Sequence, residues 1–201
     1  MVAKYSIRKS EYKLNYLDKA YRHFMTICRH KYYVAKYCFM CGLYWQGITH
    51  DLSKFSPVEF FESVKYYTGT ESPINVSKRA NGWSAAWQHH KYNNKHHREY
   101  WTDNYDAGTT CINIPFKYML EMVCDFLGAG QAYSTNQGKE FTIQSELAWW
   151  NSTKKKGIKI HDHSIWLIDR IFKDMEMSSI EKVLTDKQYI SALQKEYEDK
   201  E

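Results

Sequence analysis

The sequence predicts an all-α protein, one domain of about seven helices spanning residues 1–201. Three observations carry that expectation. Only 3 Pro and 9 Gly occur in 201 residues, too few for a β fold with many turns. Apolar residues recur at helical rather than alternating spacing, as at Leu17, Tyr21, Phe24 and Cys28. Helix start signals are explicit, the clearest being Ser56-Pro57-Val58-Glu59. The length suffices to bury a core, and no repeat, low-complexity tract or linker divides the chain.

The first helix is expected between Tyr12 and about Gly42, a stretch without internal Pro or Gly. Beside the stripe through Leu17, a second one runs Ile27, Val34, Tyr37, Cys41, so this helix should be buried on two sides and lie centrally. His23 and His30 fall on the second stripe, where a lone histidine such as His23 reads as a packed core residue. A short apolar piece, "LYWQGI", then leads to His50-Asp51 at a helix end or in a turn. Ser56 as N-cap, Pro57 at the first helical position and Glu59 three residues past the cap form a capping box, which starts a helix from 57 to about 67.

"TGTESPINVSKRANG" reads as a surface loop. "WSAAWQHHKYNNKHHREYW" begins helical and should break near Asn93-Asn94, and "DNYDAGTTCINIP" is a second loop. Pro115 opens "PFKYMLEMVCDFLGAG", a helix expected to stop at Gly128 or Gly130. Two further helices fall at roughly 140 to 151 and 163 to 174, the latter capped by Asp162, and a last one follows from about Asp186. Trp149 and Trp150 read as core packing, and Lys154-Lys155-Lys156 as a solvated loop.

A net charge of +5 suits an anionic ligand such as a phosphate without requiring nucleic acid. Five cysteines without regular spacing argue against a disulfide framework, and Cys38 and Cys41 form a lone CxxC with no second pair. No apolar signal core and no membrane-length apolar run is found, so a cytoplasmic protein is expected. Its oligomeric state is left open.

An ordered set of polar residues stands out against this background: His30, the doublet His50-Asp51, "HHKYNNKHH" at 89 to 97, and Asp125 within "EMVCDFL". The set resembles the HD-domain metal-dependent phosphohydrolase superfamily, over roughly residues 20 to 130. In finer detail "HDLSKF", "HHKYNNKHH" and "EMVCDFLGAGQAY" are similar to an uncharacterised family of bacterial and phage proteins. The resemblance implies an HD-like helical bundle in which a histidine, a His-Asp doublet and a distant aspartate bind a divalent metal. It implies a second metal held by histidines between the doublet and the last aspartate. "HDLSK" is also similar to an HD-x-G-K variant whose lysine faces the substrate phosphate, with Ser53 here in place of the glycine, so Lys54 takes that role.

The residues themselves fit such chemistry. Neutral imidazoles and hard carboxylates suit Mn, Fe, Co, Ni or Zn, one or two ions. A carboxylate has an oxygen for each of two metals, which makes Asp51 the expected bridge. Two ions so placed could share a hydroxide that attacks phosphorus in line. His90 and His97 lie seven residues apart, about 10.5 Å on an unbroken helix at roughly 1.5 Å per residue, so they meet on one ion only if the helix ends near Asn93-Asn94. With that break His90 and His97 are the expected second-metal ligands, and His89 and His96 remain as supports of the ligands, substrate contacts or a general acid. Asp125 sits on an apolar helical segment where an unpaired carboxylate is unfavourable, and Glu121 lies one turn before it. Asp51 as a plain helix cap is the bland alternative, and His161-Asp162-His163 is a rival doublet.

The expected activity is that of a metal-dependent phosphohydrolase or phosphodiesterase acting on a small nucleotide-like phosphate. Two other functions are compatible with the same residues: a di-iron oxygenase, and a nucleotide-binding protein without turnover.

Overall fold

The computed structural model describes residues 14–106 and 108–200. Helix α1 (Tyr16–Met40) begins where Asn15 caps it, its side chain accepting from the Asp18 backbone N–H at 2.9 Å. Only one of its two apolar stripes is covered. Ile27, Val34, Tyr37 and Cys38 are buried, whereas Leu17, Tyr21 and Phe24 are exposed, so the expectation of a helix buried on both sides is corrected. The central place belongs instead to α6 (Phe116–Asn136), whose Met119, Leu120, Met122, Val123, Cys124 and Leu127 all lie in the core.

Between α1 and α6 come α2 (Tyr44–Thr49), a 3-10 turn at Leu52–Phe55, α3 (Pro57–Lys65), α4 (Pro73–Asn81) and α5 (Ala85–Asn93). A 3-10 turn at Arg98–Trp101 then leads into a two-stranded antiparallel ribbon, β1 (Thr102–Tyr105) with β2 (Gly108–Cys111), in which Thr102 pairs with Cys111. After α6 follow α7 (Ile143–Lys155), α8 (Asp162–Met177), α9 (Ile180–Thr185) and α10 (Lys187–Glu198). The described residues thus form ten α-helices rather than about seven.

The differences have local causes. In the stretch read as a surface loop, Pro73 occupies the first turn of α4 after Ser72, and Gly82 at φ 79° ends that helix in the left-handed region. Its polar sequence hides it. The stretch read as a second loop is closed by the ribbon. In α8, His161 rather than Asp162 is the N-cap, its Nδ1 accepting from the His163 N–H at 3.2 Å. Lys154 and Lys155 extend α7, and Lys154 reaches Asp169 at 2.6 Å.

Helix α6 runs straight through Gly128 and Gly130. A Cβ on Gly128 would lie 2.5 Å from Val34 Cγ2 and 2.9 Å from the Val34 backbone nitrogen, so the bare glycine is what lets α1 and α6 approach. That approach sets the distance between their inward-facing side chains. Leu167, Ile168, Ile171, Phe172 and Met175 of α8 complete the same core together with Trp150. No helix of the described residues is long and apolar enough to cross a membrane.

Candidate metal centre

Four stretches of chain converge on one place. His30 comes from α1, His50 and Asp51 from the junction after α2, His90, His96 and His97 from α5 and the turn behind it, and Asp125 from α6. The expected break holds: α5 stops at Asn93, and Asn94 bonds back to the His90 carbonyl through Nδ2 at 2.7 Å. The chain therefore reverses, and His90 Nε2 comes within 2.8 Å of His97 Nε2.

Asp51 is at the centre of the cluster. Its φ of 54° makes it the non-glycine residue with left-handed backbone among the described residues, a conformation that aspartate tolerates better than most. Its side chain makes no capping bond to the 3-10 turn it precedes, which removes the plain-cap alternative. Its two oxygens face different groups. Oδ2 lies 3.2 Å from His30 Nε2 and 3.4 Å from His50 Nε2, while Oδ1 lies 3.4 Å from both His90 Nε2 and His96 Nε2. Asp125 Oδ1 completes the first group at 3.1 Å from His30 and 3.4 Å from His50. Behind the doublet, Lys31 Nζ donates to the carbonyls of Ile48 and His50 at 2.6 and 2.8 Å and secures the end of α2.

Two carboxylates orient the imidazoles from outside. Glu121 Oε1 accepts from Nδ1 of His50 at 3.0 Å and of His96 at 3.1 Å. Glu59 accepts from Nδ1 of His90 at 2.8 Å with one oxygen and of His89 at 2.7 Å with the other. With a proton held on Nδ1, each of these imidazoles would present Nε2 to an ion as the inward lone pair. Burial opposes charge on Glu121, but its bonds to His50 and His96 win and hold its carboxyl below the usual range. Ser53 explains its own presence in place of glycine: its hydroxyl accepts from Asn94 Nδ2 at 2.8 Å and so braces the end of α5.

The electrostatics favour a cation inside this ring. Burial works against charge on Asp51 and Asp125, yet the surrounding His50, Lys54 and His30 keep both carboxyls well below their ordinary range. Burial also works against charge on His50, but Asp51, Asp125 and Glu121 outweigh it and raise its imidazole well above the usual value. His97 is driven the other way, by burial and by His96 and His90, so it is neutral and offers a lone pair.

The donor set fits a divalent metal. His50 Nε2, Asp51 Oδ1 and His96 Nε2 are buried with no hydrogen-bond partner, although all three face other polar atoms. Donor atoms of His30, His50, Asp51 and Asp125 lie within 4.8 Å of one another, as do those of Asp51, His90, His96 and His97. Two ligands about 2.1 Å from one ion and at right angles to each other would be about 3 Å apart, the spacing seen here. Asp51 belongs to both groups.

His30, His50, Asp51, His90, His97 and Asp125 are thus brought together as expected. His96, expected outside the ligands, lies within the converging donor groups, while His89 points to Glu59 and stays outside them. Lys54 Nζ sits 2.5 Å from Asp51 Oδ2, at the mouth of the cluster. His161-Asp162-His163 belongs to none of the donor groups among the described residues. Glu59 was hidden behind its other reading: Ser56 Oγ does cap its N–H at 3.4 Å, but the Glu59 carboxylate turns to the histidines instead of closing the capping box.

A cavity of about 570 Å³ opens onto the cluster, with His30, Lys54, His90, His97 and Asp125 at one end and Tyr67, Trp87 and Tyr133 along its walls. Fold and site together define a helical protein built around imidazoles that share a carboxylate. Over residues 19–186 the chain matches a Family of unknown function (DUF5662), and it belongs to that family. No curated protein and no solved structure matches it.

Proposed function

We propose that this protein is a metal-dependent phosphohydrolase or phosphodiesterase acting on a nucleotide-like phosphate. The observation that carries the proposal is the pair of donor groups joined through Asp51, with buried donor atoms that have no other partner. His30, His50, Asp51 and Asp125 would hold one divalent cation, and Asp51, His90, His96 and His97 a second. Such ions supply Lewis acidity toward phosphoryl oxygens and make bound water more acidic.

The chain's own residues do the rest. Glu121 and Glu59 keep the imidazoles turned inward. Lys54 offers an ammonium at the mouth of the cluster, where it can bind a phosphate oxygen. The aromatic walls take the remainder of the substrate and exclude water from it.

The test begins with metal content of protein purified without chelator, then phosphate release from nucleotides with Mn, Co, Ni or Fe. Asp51→Ala should lose both metal and release while keeping its helical far-UV spectrum. Metal content near zero under every loading condition, or an Asp51→Ala protein with full metal and turnover, sinks the proposal. An iron-dependent absorption band under air with no phosphate release would replace it with oxygen chemistry.

A further inference from the structure

We infer that His23 reads the non-phosphate part of the substrate, and that this part is a flat heteroaromatic ring with a hydrogen-bonding edge, as in a nucleobase. His23 lies on the same face of α1 as His30 and lines the same cavity, away from the metal donors. It is 8% exposed and makes no hydrogen bond among the described residues; Nδ1 is enclosed, which leaves Nε2 as the nitrogen that the cavity can reach. An imidazole held at a cavity wall without a bond to the protein offers Nε2 to a partner that the protein itself does not provide.

The surroundings say what kind of partner. The His23 ring packs against Phe60 and Tyr67 at centroid distances of 5.5 and 5.8 Å. The same cavity is lined by Trp87, which packs against His90 and His97 at centroid distances of 6.0 and 5.2 Å, and by Tyr133 and the small Ala129 and Ala132. Aromatic faces favour a stacked planar ring, and the polar side chains that line the same cavity, His23 with Thr26, Ser63, Asn136 and Gln137, favour a ring that carries its own donors and acceptors. A sugar phosphate lacks the aromatic face, and an alkyl chain lacks the polar edge. Burial, with Lys54 adding to it, lowers the His23 pKa to about 4, so the imidazole is neutral and Nε2 donates or accepts according to the tautomer.

The place of the phosphate in this picture rests on the hydrolase proposal, but the ring subsite does not. It is tested on chelator-treated full-length protein, without phosphate, by calorimetric titration with adenosine, cytidine and ribose. At least one nucleoside should bind about tenfold or more tightly than ribose. His23→Phe, which keeps the ring but loses both nitrogens, should weaken that nucleoside by about tenfold. His23→Gln, with an amide near the position of Nε2, should recover part of the loss. Ribose binding as well as both nucleosides, or a folded His23→Phe with unchanged nucleoside affinity, overturns the inference. Should His23→Phe not fold, the wild-type comparison and His23→Gln decide. A protein that binds nucleosides this way but releases no phosphate would defeat the hydrolase and leave the subsite standing.

Discussion

One oxygen of Glu121 serves two imidazoles, which makes this residue the support for both donor groups at once. Glu121→Ala should lower Mn affinity by roughly 10–100-fold without removing a ligand, a change that calorimetric titration reads directly. Unchanged affinity would show that packing alone orients His50 and His96. Glu146 carries a different kind of signal. Burial first, and then the charge of Asp125, raise its carboxyl from 4.5 to about 8. The folded state therefore holds a proton that the unfolded chain has already released. Stability from this group is complete below about pH 4.5 and falls as pH rises to about 8. Over that window the loss is on the order of a few kcal/mol. Urea unfolding at pH 5 and pH 8 should show the loss in wild type and a clearly smaller one in Glu146→Gln. Equal slopes would mean that Glu146 is not the titrating group. In the sequence Glu121 was visible as a carboxylate one turn before Asp125, but Glu59 was not, because one glutamate satisfied a capping pattern that needed no histidine.

At the scale of elements, the α1 and α6 contact is the one that the site depends on, since it brings His30 to Asp125. Gly128→Ala puts a methyl group against the Val34 backbone, which cannot move aside as a side chain would. It should cost about 1–3 kcal/mol in urea unfolding and weaken metal binding by spreading the two helices. A variant as stable as wild type would show that α1 has room to shift. Glycine is a poor guide in such places. Read along the chain, Gly128 and Gly130 look like a helix stop; in the fold they are a groove. Elements with periodic apolar faces were legible, α6 and α8 among them, and α3 was legible from its Ser56 cap and Pro57. Short polar α4 was not, because its helix rests on Pro73 and a Ser77–Glu62 bond at 2.8 Å rather than on an apolar stripe. The outward stripe of α1 misled for the opposite reason: apolar spacing reports a helix face, and says nothing of whether another element covers it.

For the whole molecule, the candidate ligands come from helices that are distant in sequence, so an ion bound among them ties together α1, α5, α6 and the turn after α2. Binding to the folded state alone raises stability by about 2.7 kcal/mol when free ligand is 100-fold above its dissociation constant, roughly 5–11 °C in melting temperature for a chain of this size. Adding Mn to chelator-treated wild type should produce a shift of that order in a thermal melt, and Asp51→Ala should show none. Equal shifts in the two proteins would place the ion elsewhere. The order His30, His50-Asp51, the histidine block and Asp125 was legible because ligand chemistry restricts residue types. The choice among four adjacent histidines was not, because it turns on where a reversed chain aims each ring. Asp51 adds one thing more. The residue that joins both donor groups also bears the left-handed torsion angle that swings the chain from α2 into the next turn, so a substitution there alters charge and route together. Asparagine and glycine, which accept that torsion, are the replacements that isolate the carboxylate's part, whereas a β-branched side chain would deform the loop before any chemistry could be compared.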